Sequence, residues 1–195
     1  MKTKFLIFLV TLFSIYSCSQ SKTENSDDYI RKSLTAFVEN IKEKKINSAV
    51  EFIYPRYFEV VQKEQMTQIL NLTYNNPSII TEIQRFEIDK IEKPEKIKSE
   101  YYSIADYSFK MKLKINWNSI PNSGQAKSQI KEGLIKKYGN DNVQYFSDED
   151  YYFINAKMKA CAISSNEKDW TFLIVEPQYK PQLKSILPQK ILNKF

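Results

Sequence analysis

The sequence predicts an α+β fold: N-terminal helices packed on a curved antiparallel β-sheet, with a helical insertion between strands. Three observations predict it. From Ile30 to about Leu72 apolar residues recur with the 3.6-residue period of helices. After Pro77 the period changes to 2. Helices first and strands after is the segregation of an α+β chain, and a helical pattern returns once as an insertion between the two longest alternating runs.

The first helix is carried by Ile30, Leu34, Phe37, Val38 and Ile41, which fall on one face. Asp27 and Asp28 at its start, and Lys42, Lys44 and Lys45 near its end, complement the helix dipole. A short second helix is expected over 47–54, with Asn47 as N-cap and Ala49, Phe52 and Ile53 inward. Pro55 breaks it and starts a third helix running to about Leu72, on Phe58, Val61, Ile69 and Leu70. Asn75-Asn76-Pro77 is a stop.

The run from Ile79 to Ile91 alternates imperfectly, which suggests a bulge. Tyr107, Phe109, Met111, Leu113, Ile115 and Trp117 alternate cleanly with Ser108, Lys110, Lys112, Lys114 and Asn116, so this strand has one dry and one wet face. Tyr151 to Ile163 is a second long strand, with Asn155, Lys157 and Lys159 on its polar side. Trp170 to Val175 is nearly all apolar and reads as a central strand. Between the long strands, 125–138 reads as a helix on Ile130, Leu134 and Tyr138, capped by Ser123 and ended by Gly139. In the tail, Leu183, Ile186, Leu187, Ile191, Leu192 and Phe195 form an apolar set interrupted by Pro188. That tail is expected to cap the core rather than to lie on lipid.

Composition narrows the chemistry. The 195 residues include no histidine, three glycines and two cysteines. Histidine-dependent triads and HExxH zinc sites are therefore excluded, as are glycine-rich nucleotide loops, zinc fingers and iron–sulfur sites. No cofactor and no metal is expected. Asp148-Glu149-Asp150 is a small acidic patch without the EF-hand pattern, and reads as a solvated loop. The charge of +6 is almost entirely lysine, with only Arg31, Arg56 and Arg85. Arginine is the usual bidentate reader of phosphates and bases, so no nucleic-acid partner is expected.

The first residues carry an address. Lys2 and Lys4 precede an apolar run from Phe5 to Ile15, too short to span a membrane, and Ser17-Cys18 follows. Ile15, Ser17 and Cys18 resemble the lipobox of bacterial lipoprotein signal peptides. The resemblance implies cleavage before Cys18, lipid attachment to Cys18, and location in the cell envelope on the periplasmic side or at the surface. An alternative is a secreted protein cut near Ser17 or Ser19. The expected organisation is a signal peptide over 1–17, a lipidated Cys18 and polar tether over 18–28, and one domain over 29–195. Loss of Lys2 and Lys4 lowers the charge to +4. With Cys18 lipidated, Cys161 has no disulfide partner and reads as a buried inert thiol in Ala160-Cys161-Ala162-Ile163.

The order of elements over 29–176 resembles the NTF2-like family, a cone-shaped sheet wrapped around a long helix. The stretches Phe37-Val38, Ala49 to Phe52 and Tyr54-Pro55-Arg56-Tyr57-Phe58 look like the helix pair of its small secreted members. The resemblance implies a pocket between sheet and helices, used by isomerases and dehydratases and by many binding domains. A carboxylate and a tyrosine would carry the enzymatic version, drawn here from Asp106, Glu87, Asp89, Tyr54, Tyr57 and Tyr74. Asp106 lies on the polar side of its strand, and fold alone does not establish catalysis, so the reading favours binding of a small ligand or an envelope protein over an enzyme. A structural or assembly lipoprotein is the third alternative. The remaining candidate is a basic sheet face of Lys110, Lys112 and Lys114, joined by Lys157 and Lys159 if the strands pair in suitable register. It could dock an acidic partner or anionic glycan, or simply be a solvated face that blocks edge association.

Overall fold

The computed structural model describes residues 25–176 and 179–195. Cys18, the expected signal peptide and most of the expected tether lie outside the described residues. Helix α1 (Ser26–Lys42) is started by a capping box: Asn25 Oδ1 accepts from the Asp28 amide at 3.0 Å, and the Asn25 amide donates to Asp28 Oδ2 at 3.3 Å. The helix thus begins three residues inside the stretch expected as tether. Ile30, Leu34, Val38 and Ile41 are its buried stripe, as the period requires.

Helix α2 (Ile46–Val50) follows a turn at Lys44, whose φ is 60°. It starts one residue before Asn47, and no side chain caps it. The single third helix expected from Pro55 is divided. Pro55–Glu59 is a 3₁₀ turn, and α3 (Lys63–Tyr74) begins only after a break. The division has a packing cause. Tyr57 and Val60 turn toward the C-terminal tail, whereas Leu70 and Tyr74 turn toward α1 and α2, and one straight helix cannot serve both sides.

The sheet is antiparallel, in the order β1-β3-β5-β4, from β1 (Ile79–Ile91), β3 (Glu100–Ile115), β5 (Tyr151–Ser164) and β4 (Val143–Phe146). Short β2 (Glu95–Ile97) also pairs with β3, and β6 (Thr171–Leu173) with β5. β3 and β5 pair without interruption from Tyr101↔Ser164 to Lys114↔Tyr151. β1 contains two irregularities against β3, skipping Gln84 and Asp89. Each extra residue shifts the alternation by one, so the inward set runs Ile79, Thr81, Ile83, then Phe86, Ile88, then Ile91.

The two faces of the sheet are covered differently. On the inner face α1 lies over Ala105, Tyr107, Ala160, Ala162 and Phe172. The insertion, α4 (Ser123–Tyr138), covers the other end through Ile130, Leu134 and Tyr138. Its cap position is Asn122, in the left-handed region at φ 52° and without a side-chain bond, rather than Ser123. Gly139 ends it at φ 90°, a conformation glycine adopts without strain. On the outer face the tail, with α5 (Lys180–Leu183) and α6 (Gln189–Leu192), packs Leu183, Ile186, Leu187, Ile191 and Leu192 on Tyr102, Ile104, Cys161 and Ile163. The tail therefore backs the sheet. This also explains 170–175: Phe172 faces α1 and Leu173 and Val175 face the tail, so the run is apolar on both sides although only three residues pair.

Candidate functional site

Where α1, α3 and α4 meet the inner face of the sheet they leave a cavity of about 350 Å³. Its walls are Phe37, Phe86, Phe109, Met111, Leu134 and similar side chains, and this volume falls within the range of small-molecule pockets. The mouth opens between α3 and the chain after β6, where Ile69 is 50% and Ile174 43% exposed. Neither α3 nor α4 has a fully buried residue, whereas α1 has four.

Three tyrosines give this apolar space its polar end. Tyr107 rises from β3, Tyr138 from the last turn of α4, and Tyr74 from the last turn of α3. Burial, and then the charge of Tyr138, pushes the Tyr74 hydroxyl up to about 12. Burial followed by the Glu176 carboxylate does the same to Tyr138, also to about 12. Tyr107 is raised by burial and by all three of Tyr138, Tyr74 and Glu176. Their mutual influence makes the hydroxyls one cluster. All three stay protonated in neutral solution and remain hydrogen-bond donors.

None of the three hydroxyls has a hydrogen-bond partner among the described residues, yet none is a sealed, unsatisfied group. They are therefore open to a water-sized probe. Tyr107 is only 8% exposed, so that opening is small. Beside the cluster, Lys137 Nζ lies 2.8 Å from Glu176 Oε1.

A second, larger groove of about 1130 Å³ adjoins the first and shares Tyr107, Lys137 and Met158 with it. It exists because β4 pairs with β5 only over 151–154 and β6 only over 161–163. After Leu173 the chain peels away from β5, and the gap is lined by Gly133, Lys136, Lys157, Lys159, Val175 and Glu176 among others.

The register brings all five expected lysines to one face. Lys110, Lys112 and Lys114 lie opposite Asn155, Phe153 and Tyr151, while Lys157 and Lys159 lie opposite Ser108 and Asp106. The face is not uniformly basic, because β1 sets Glu82, Arg85 and Glu87 opposite Lys112, Lys110 and Ser108. Lys112 lies over the Tyr151 ring at 3.8 Å and pairs with Glu149 at 3.4 Å, and Lys159 donates to the Lys194 carbonyl at 3.2 Å. Lys157 is the one of the five that lines both the larger groove and a shallower one between β1, β3 and β5.

The carboxylates expected for catalysis stand elsewhere than the cavity. Asp106 faces outward opposite Lys159, Glu87 pairs with Arg85 at 2.5 Å, and Asp89 accepts from Ser108 Oγ at 3.1 Å. Tyr54 and Tyr102 both donate to Glu100, at 3.0 and 2.6 Å, beneath the tail. Burial and this carboxylate push Tyr54 up to about 12. Tyr57 also packs toward the tail. Of the six, only Tyr74 reaches the cavity.

Sequence reasoning missed Tyr107, Tyr138, Lys137 and Glu176. The first two had a signal: each is a hydroxyl-bearing aromatic on an otherwise apolar stripe. Asp150 lies in the surface turn expected of 148–150, but its carboxylate is engaged there. It accepts from Trp117 Nε1 at 3.0 Å, from Lys127 Nζ at 3.1 Å and from the Tyr145 hydroxyl. Among the described residues no group of three or more metal-ligating side chains is placed to hold an ion, and no helix is long and apolar enough to cross a membrane. No family model matches the chain, and no curated protein matches it.

Proposed function

We propose that this chain is a bacterial envelope lipoprotein, tethered to a membrane through lipid on Cys18, whose NTF2-like domain binds a small ligand between its helices and its sheet. The observation that carries the binding reading is the cavity with three tyrosine hydroxyls at its polar end that have no hydrogen-bond partner among the described residues. A structural core would fill such a space or pair its hydroxyls, since open polar groups in an apolar wall cost stability. The tether reading is supported by the lipobox-like Ile15 to Cys18.

Two experiments test it. Cys18→Ser should move the protein from the membrane fraction to the soluble one, and the wild type should carry acyl mass by mass spectrometry. A membrane-bound Cys18→Ser variant, or a lipid-free wild type, sinks the tether. N-phenyl-1-naphthylamine, an uncharged fluorescent ring probe, should brighten in the presence of the Cys18→Ser protein. Leu134→Trp, which fills the cavity from α4, should abolish that signal while the protein keeps its circular dichroism spectrum.

A further inference from the structure

The inner cavity and the groove share Tyr107, Lys137 and Met158 as walls and adjoin at the stretch of β5 that neither β4 nor β6 pairs, with Lys90 and Lys157 on the outer face of the sheet and Lys136 on α4. Their chemistries differ. The inner space has apolar and aromatic walls, and its one charged side chain, Lys137, is already paired with Glu176. A ligand charge placed deep inside would lose its hydration without gaining a partner. The groove is the reverse. Lys90, Lys136 and Lys157 line it, all exposed, and none has a carboxylate within ion-pair distance among the described residues. The groove's acids are fewer than its lysines: Glu176 pairs with Lys137, Asp89 accepts from Ser108, and Asp106 stands opposite Lys90 and Lys159 in register without an ion pair to either among the described residues.

We propose that the ligand is an amphiphile, with an apolar body in the inner cavity and an anionic head in the groove on Lys90, Lys136 and Lys157. Tyr107 lines both spaces, where an amphiphile carries its linking oxygens, and Tyr74 and Tyr138 stand on the cavity side of it. They supply donors there without demanding a second charge. This assignment rests on the ligand-binding reading above and adds to it the polarity and direction of the ligand. The lysines act as screened surface charges, so they contribute selectivity for the head while the apolar body supplies most of the affinity.

The test uses two probes with the same ring system on the Cys18→Ser protein. N-phenyl-1-naphthylamine has no charge, and 8-anilinonaphthalene-1-sulfonate adds an anionic group. The triple variant Lys90→Gln/Lys136→Gln/Lys157→Gln should weaken the sulfonate about fivefold or more and leave the neutral probe within about twofold. A control triple, Lys110→Gln/Lys114→Gln/Lys168→Gln, removes the same charge outside the groove and should leave both probes within about twofold. Leu134→Trp, and Thr73→Trp at the exposed rim as a variant with little folding risk, should weaken both probes. Equal losses of sulfonate binding in the two lysine triples overturn the head assignment, as does an unchanged sulfonate affinity in the groove triple. Sulfonate binding that ignores both tryptophan variants overturns the two-part ligand. Failure of the neutral probe to bind at all overturns the cavity reading itself, which separates the two failures.

Discussion

Trp117 donates its indole N–H to Asp150 at 3.0 Å, joining the segment that leaves β3 to the one that enters β5. Lys127 of α4 and Tyr145 of β4 bond the same carboxylate. One acid thus closes the insertion onto the strands it interrupts. The Tyr145 hydroxyl, followed by Lys127 and Trp117, holds the Asp150 carboxyl below the usual aspartate range. Asp150→Asn should therefore lower stability by about 1 kcal/mol or less, since the group is partly exposed and screened. The sign follows from the depressed folded-state value. The contribution is complete above the ordinary aspartate range and fades as pH falls through the lowered folded value. Urea melts at pH 7 and at about pH 3 check this: the gap between the two proteins should shrink in acid. A gap that widens in acid contradicts it.

The tail should be needed for the fold. Ile191 is fully buried against the outer face. Ile191→Ala should cost about 2–5 kcal/mol by urea titration. Ending the chain at residue 178 would expose Tyr102, Ile104 and Ile163 and should leave a protein that aggregates or melts without cooperativity.

Cys161 should be silent to thiol reagents. It is fully buried between β3, β6 and the tail, and burial pushes its thiol well above the ordinary range, so almost no thiolate exists in neutral solution. In the Cys18→Ser protein a disulfide-exchange reagent should release colour only on adding denaturant. Fast reaction in the native state would mean that the tail opens.

Alkaline titration should separate the tyrosines. Tyr74, Tyr138 and Tyr54 ionise near 12 in the folded protein, against about 10 when unfolded. Raised folded values mean that their contribution to stability is complete below about pH 10 and is lost as pH climbs toward 12. Ultraviolet absorbance should show an early class of exposed tyrosinates and a late class that appears together with unfolding. Bound probe in the cavity should delay Tyr74 and Tyr138 while leaving Tyr54, beneath the tail, unmoved.

The legible parts of the fold share one cause. The part of β3 from Tyr107 onward could be read because one face is wetter than the other, which leaves a clean period of 2, and α1 because its buried stripe is narrow. Segments covered on two sides lose that contrast. Thr171 to Val175 and the stretch from Ala160 to Ser164 look uniformly apolar or small, so neither the short pairing of β6 nor the seat of the capping tail on the outer face of the sheet could be inferred. The break before α3 was hidden because Tyr57 and Leu70 are both apolar, and sequence does not say which neighbour each one meets. The site was least legible. Tyr107, Tyr138 and Glu176 come from β3, α4 and the chain after β6, and only the packing of α4 and of that chain beside the sheet brings them together.

The way α1 enters the domain has a mechanical meaning. Ser26 Oγ donates to Glu167 at 2.8 Å in the turn between β5 and β6, beside the end of the sheet that is covered on both faces. A pull on the chain before Asn25 is taken up there, by the Ile30 and Leu34 stripe on Ala105 and Ala160, and not by α3 or by the mouth beside Ile69. Such a load would be borne where the sheet is covered on both faces, at a distance from the walls of the cavity on α3 and α4.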